Sequence, residues 1–312
     1  MIKIPVIDLS KARNGDINDK KVLAEQINQA CKEVGFFTIK GHGIDKPVFD
    51  DLYKYINAFF ALPQDQKEQC VTDVQPCHFQ HNGYSALLGE SANALMGKKH
   101  LPSDSVEKFS NGKSLLDDDF ELPFPSDPSC DGFRAAMKAY YEACRHLASM
   151  LSELFALALG LPEDYFVDKI DQSEDYLRLH HYPALEQGLG FDQRVYEHKD
   201  ISILTILNDA QPGLEVLTPD GQWVKAITDE PDEFIVNIGD FMQRWTNDEW
   251  RSTVHRVGLS AKERQSIIFF HYVNPDTVLE TFDKFLKDGK SKYEPVVFDE
   301  YVGELTRKLF GH

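Results

Sequence analysis

Two histidines and one aspartate have the side-chain chemistry and the spacing of a metal site. His198 and Asp200 sit two apart in His-Lys-Asp, and His255 lies 57 residues later in Ser-Thr-Val-His-Arg-Val. On an extended backbone, residues two apart leave the same face, so His198 and Asp200 point together. His255 falls in a separate expected strand, with Thr253 and Val257 on its own face. Laying those strands side by side brings two imidazoles and one carboxylate to a point. Two nitrogens and one oxygen on one face of an octahedral ion leave the other face open, which suits non-haem Fe(II). With no thiolate nearby, Cys-based zinc and iron–sulfur sites are disfavoured. H-x-D also recurs by chance, and a strand histidine more often packs than ligates, so the triad needs support from elsewhere.

Arg264 and Ser266, again two apart in Glu-Arg-Gln-Ser-Ile-Ile-Phe-Phe, give that support. A guanidinium with a neighbouring hydroxyl receives a carboxylate through charge-assisted hydrogen bonds. An arginine facing an apolar interior is costly unless an anion meets it. A structural Asp or Glu would serve as that anion as well as a ligand would.

The elements that must carry these residues are legible from periodicity. Residues 4–9 read as a short strand. Val22, Leu23, Ile27, Ala30, Cys31 and Val34 recur at helical spacing, with Gly35 as C-cap. Residues 36–40 read as a strand, and a helix begins near Asp45 with Pro47 in its first turn. Periodicity fades over 64–129, as in a binding loop or a variable surface. A long amphipathic helix is expected over 132–159. The period then changes to two, with strands at 214–217 and 222–227 around Thr218-Pro219-Asp220-Gly221, and at 234–238, 251–257 and 265–273. A helix carrying Val302, Leu305 and Leu309 closes the chain. Helices before and around a many-stranded half predict one α+β domain centred on a barrel or sandwich.

Composition bounds the function. The 312 residues carry 33 Lys+Arg against 51 Asp+Glu, a net charge of −18, with 42% hydrophobic residues. That is globular composition, and its charge disfavours nucleic acid and anionic membrane surfaces as partners. Cys31, Cys70, Cys77, Cys130 and Cys144 are odd in number and form no C-x-x-C, as expected of reduced thiols in a cytoplasmic protein. No signal-peptide pattern opens the chain, and no apolar run approaches the roughly 20 residues of a membrane span.

The stretches HKDISILTIL, PGLEVLTPDGQWVKA, DEFIVNIGDFMQRWTNDEWRSTVHRV and ERQSIIFF together resemble the 2-oxoglutarate- and Fe(II)-dependent dioxygenases of the isopenicillin N synthase-like family. IPVIDLS and EVGFFTIKGHGI resemble that family's N-terminal region, and Gly83-Tyr84 with Glu90 its middle. The resemblance spans nearly the whole chain, in order. It implies a distorted double-stranded β-helix (jelly-roll) core with flanking N-terminal and C-terminal helices in a single domain over 1–312. Within it, 1–130 would hold the N-terminal elements and substrate loops, 131–175 the long helix, 176–275 the catalytic core and 276–312 the C-terminal segment.

By matching motif, His198, Asp200 and His255 would bind iron. Arg264, Ser266 and Tyr182 of LRLHHYP would bind the distal carboxylate of 2-oxoglutarate. His180 stands where relatives often have Asn, beside the cosubstrate or on the substrate side. The resemblance implies that 2-oxoglutarate and O2 give succinate and CO2 while a C–H bond of a small metabolite is hydroxylated, desaturated or cyclised. An oxidase of the same fold that holds its substrate's carboxylate at Arg264 and Ser266 without 2-oxoglutarate is a second reading; a non-catalytic jelly-roll binding protein is a third. His78, Gln80, His81 and Tyr84 are candidates to face substrate. Lys98, Lys99 and His100 read as a solvated basic cluster, with the clamping of an anionic substrate as a second role. Trp223, Trp245 and Trp250 read as packing residues, and His42, His146 and His312 as turn, surface and terminus. The chain is expected to act as a monomer.

Overall fold

The structure is a computed structural model that describes residues 4–71, 81–92, 102–185 and 192–310. Cys77, His78, Gln80, Lys98, Lys99, His100 and His312 lie outside the described residues.

Strand β1 (Val6–Asp8) leads through α1 (Ser10–Asn14) to α2 (Ile17–Glu33) and β2 (Phe36–Lys40). Asp16 caps α2 by accepting from the backbone N–H groups of Asn18 and Asp19, and Leu23, Ala24, Ile27, Ala30 and Cys31 form its buried face. The helix ends where expected: Gly35 takes φ +74° and its N–H donates to Ala30 O at 2.9 Å. Helix α3 (Lys46–Phe60), with Pro47 in its first turn, and α4 (Gln64–Glu68) follow. Next come β3 (Gly83–Ser85) and β4 (Glu107–Asn111), and then the long helix α5 (Phe133–Ala158), against which α2 and α3 pack.

The C-terminal half runs α6 (Val167–Ile170), β5 (Tyr176–Tyr182), β6 (Gln193–His198), β7 (Leu204–Asp209), β8 (Leu214–Leu217) and β9 (Trp223–Lys225). It continues through β10 (Phe234–Ile238), α7 (Asp240–Trp245), β11 (His255–Gly258) and β12 (Arg264–His271). The pair β13 (Val278–Leu279) and β14 (Val296–Val297) and the helix α8 (Phe298–Phe310) end the chain.

A major sheet has the order β1-β2-β10-β7-β12-β5-β4-β3, and a minor sheet the order β6-β11-β8-β9. Every pairing in them is antiparallel except β1 with β2. Residues from both sheets line one cavity of about 410 Å³. This is the expected jelly-roll with flanking helices. The two-residue period sorts the side chains. On β12, Ile267 and Phe269 are fully buried in the core beneath the helices, while Arg264, Ser266, Ile268 and Phe270 line the cavity. On β5, Leu177 and Leu179 join that core, and Tyr176, Arg178, His180 and Tyr182 line the cavity.

Two expectations need correction. The faded stretch 64–129 contains β3 and β4, which widen the major sheet beyond β5. Glu107–Asn111 hides its strand because all five residues are buried and four are polar; Glu107 and Lys108 are paired with other side chains, and Lys108 also lines the cavity. The strand expected over 251–257 begins only at His255. Before it, Arg251 N donates to Cys31 O and Thr253 Oγ1 to Val34 O, so this segment is tied to the end of α2 rather than to a ladder.

Candidate active site

His198 ends β6 and faces His255, which opens β11, as a direct cross-strand pair. Their ring centroids lie 4.2 Å apart. Asp200, just past β6, brings Oδ1 to 3.8 Å from His198 Nε2 and 3.5 Å from His255 Nε2. One ligand atom from each of the three residues falls within 4.8 Å of the others. The strands thus bring the sequence-predicted triad together.

The surrounding backbone fixes how each ligand presents itself. His198 Nδ1 meets Tyr196 O at 2.8 Å and His255 Nδ1 meets Thr253 O at 3.1 Å. A carbonyl only accepts, so each Nδ1 carries the hydrogen and each Nε2 lone pair is left for a metal. Asp200 Oδ2 accepts from Thr205 Oγ1 at 2.6 Å and from Asn237 Nδ2 at 2.8 Å, which frees Oδ1. Two imidazole nitrogens and one carboxylate oxygen, oriented by these partners, fit Fe(II).

Burial, and then the neighbouring His255, push the His198 pKa down to about 4, so this ring is a neutral ligand at physiological pH. Burial opposes ionisation of Asp200, but the two histidines and the Thr205 hydroxyl outweigh it and hold the carboxyl below its usual range. His255 is lowered by burial and raised more by Asp200.

Arg264 and Ser266 face the same cavity. The guanidinium gives Nε to Gln211 O at 2.9 Å and Nη2 to Asp209 Oδ1 at 2.7 Å, and it lies 4.5 Å over the Tyr182 ring. Both sequence-level readings of this arginine are therefore present at once: a structural aspartate takes one edge, and the fork is not wholly open. Nη1 and Ser266 Oγ are buried with no hydrogen-bond partner among the described residues. Two orphaned donors in one wall fit a carboxylate such as the distal one of 2-oxoglutarate. Tyr182 is buried beside them, its hydroxyl 3.0 Å from His180 Nδ1.

Other candidates divide. His81 lines the cavity, whereas Tyr84 does not: it is buried against Phe59 and its hydroxyl donates to Glu107 Oε2 at 2.5 Å. Trp245 and Trp250 are buried, and Trp223 lies at the sheet edge under the Arg256 guanidinium at 3.9 Å. His42 fixes its turn by accepting from Ile44 N, and His146 is exposed. Sequence reasoning missed Thr205, Asn237, Asp209, Lys108 and Arg178. Only Arg178 carried a signal, being two residues from His180 on the same strand face.

Comparison with known proteins agrees with this geometry. Residues 4–123 match the family model of the non-haem dioxygenase in morphine synthesis N-terminal region, and residues 173–272 match the 2OG-Fe(II) oxygenase superfamily. The chain is similar to the 2-oxoglutarate-dependent dioxygenase gloF of Glarea lozoyensis, at 30% identity over 93% of this chain and 94% of that protein. It is also similar to isopenicillin N synthase of Streptomyces griseus, at 30% identity over 98% of this chain and 95% of that protein. Among solved structures, a full-length Neurospora crassa protein in complex with alpha-KG and thymine superposes with a TM-score of 0.84 at 27% identity, covering 97% of this chain and 96% of that one.

Proposed function

The chain belongs to the isopenicillin N synthase-like family of 2-oxoglutarate- and Fe(II)-dependent oxygenases, dioxygenases of small metabolites, and on that premise we propose how its residues divide the work. His198, Asp200 and His255 hold Fe(II). Arg264 Nη1, Ser266 and Tyr182 hold the distal carboxylate of 2-oxoglutarate. The carrying observation is that the converging triad and the orphaned Arg264 Nη1 and Ser266 Oγ open onto one cavity. With Fe(II), 2-oxoglutarate and O2 bound, a substrate C–H would become C–OH while 2-oxoglutarate becomes succinate and CO2, or the substrate would lose two hydrogens to form an alkene or a ring, the second oxygen atom leaving as water.

The residues themselves orient and shield. Tyr196 and Thr253 carbonyls lock the two imidazoles in the Nε2-ligating tautomer. Thr205 and Asn237 aim Asp200. Val195, Leu207, Leu214, Val257 and Ile268 form apolar walls that keep bulk water from the reacting bond.

The whole chain works as one catalytic domain over 1–312, as a monomer in the cytoplasm, on a substrate that is neither nucleic acid nor membrane lipid. The net charge of −18 supports the last point, and among the described residues no helix is long and apolar enough to cross a membrane. The test is substrate-stimulated succinate release in a metabolite screen. His198→Ala and Asp200→Ala abolish it while circular dichroism stays that of the parent. Oxygen uptake with substrate while 2-oxoglutarate remains untouched would establish the oxidase reading instead.

A further inference from the structure

The cavity has a second charged wall that holding iron and 2-oxoglutarate does not use. Lys108 on β4 and Arg178 on β5 both face it, as does Glu90. Lys108 Nζ and Arg178 Nη1 converge on the same Glu90 oxygen, at 2.8 and 3.0 Å. Two cations thus share one oxygen of Glu90. Among the described residues the other carboxylate beside them is Asp104, 3.9 Å from Lys108, whose oxygens also accept from the backbone N–H groups of Ala92 and Tyr196, so Arg178 has Glu90 alone and shares it.

One donor in this wall has no partner among the described residues: Arg178 Nε. His180 is only 7% exposed, and its Nδ1 is engaged by the Tyr182 hydroxyl. With the Tyr182 hydrogen given to the cosubstrate carboxylate, His180 Nδ1 donates to the phenol oxygen and Nε2 presents a lone pair, so His180 belongs with the cosubstrate end.

Strand register separates Arg178 from the cosubstrate end: Arg264 pairs with Tyr182 and Ile268 with Arg178, while Ser266 and Lys108 both pair with His180, which places Lys108 between the two ends. Arg178 thus stands four residues along β5 from Tyr182, about 13 Å of strand, which exceeds the length of a five-carbon diacid. The cavity of about 410 Å³ must hold cosubstrate and substrate together, so the second ligand is small.

We propose that the substrate carries a carboxylate and that Arg178, with Lys108 beside it, is its receptor, the substrate carboxylate competing with Glu90 for the two cations. This rests on the reading of the same cavity as the Fe(II) and 2-oxoglutarate site. The receptor sets one end of a small acid so that a C–H bond further along it faces the triad.

The test is binding without turnover. Protein saturated anaerobically with Fe(II) and 2-oxoglutarate is titrated with short-chain and aromatic monocarboxylic acids and with the primary amide of each, read by ligand-observed NMR. Acids bind in preference to their amides. Arg178→Gln weakens acid binding roughly tenfold or more and leaves amide binding and 2-oxoglutarate affinity unchanged. Glu90→Gln, which releases both cations, tightens acid binding. A purely structural ion pair predicts instead that both variants lower the unfolding temperature and leave the acid-to-amide ratio alone, and that result overturns the proposal. So does a panel in which no acid is preferred to its amide. Failure of the unsubstituted protein to bind 2-oxoglutarate at all would instead sink the reading of the cosubstrate site.

Discussion

Asp200 divides its two oxygens between jobs: Oδ2 is clamped by Thr205 and Asn237, and Oδ1 faces the histidines. Asn237→Ala and Thr205→Val leave the ligands in place but free the carboxylate to rotate. Each is expected to weaken Fe(II) binding about 10–100-fold with the fold retained, measured by anaerobic metal titration. Unchanged affinity in both would mean that the clamp does not orient the ligand. The triad was legible in sequence because two-residue spacing on a strand is a geometric statement. Thr205 and Asn237 were not. They reach Asp200 from β7 and β10, neighbours only once the sheet forms, and an isolated Thr or Asn carries no such mark.

At the scale of elements, the turn between β7 and β8 is built around the arginine. A Cβ on Gly213 would come within 2.6 Å of Arg264 Nε and 2.9 Å of its Cδ. Gly213→Ala must push that side chain aside, so KM for 2-oxoglutarate rises several-fold while the far-UV spectrum is kept; an unchanged KM contradicts the placement of the cosubstrate. Glu107 on β4 ties three other elements together. It accepts from Lys67 of α4 at 2.7 Å and from Tyr84 of β3, and it meets His181 Nδ1 of β5 at 2.7 Å.

Burial opposes the Glu107 charge, but the His181, Lys67 and Tyr84 hydrogen bonds outweigh it and hold the carboxyl below its ordinary value of 4.5. A lowered folded pKa gives stability that is present above the unfolded value and lost as pH falls through the folded one. Glu107→Gln leaves Lys67 buried without its counter-charge. It should lower stability by about 3–5 kcal/mol at neutral pH and flatten the acid limb of the Tm-against-pH curve. An acid limb as steep as the parent's would refute the linkage. The amphipathic helices and the alternating strands were legible from their periods. Strand β4 was not, because Glu107 and Lys108 are buried against partners far along the chain and so break the apolar alternation.

Across the whole molecule, the acidic composition and the cations gathered in the cavity belong together. The net charge of −18 is spread over the chain, while Arg264, Arg178 and Lys108 are drawn into one interior space. A dianionic cosubstrate meets local positive charge there, although the protein as a whole would repel it. The jelly-roll and the metal triad could be inferred from ordered motifs spanning nearly the whole chain. The second charged wall could not, since Glu90, Lys108 and Arg178 lie on segments that only the folded sheet brings together. The most direct test of the account is an anaerobic calorimetric titration of 2-oxoglutarate into the Fe(II)-loaded protein, repeated with Arg264→Gln and Ser266→Ala. One equivalent should bind, only with Fe(II) present, and both substitutions should weaken it by roughly tenfold or more. Equal binding by all three proteins, or binding that ignores Fe(II), would contradict the site described here.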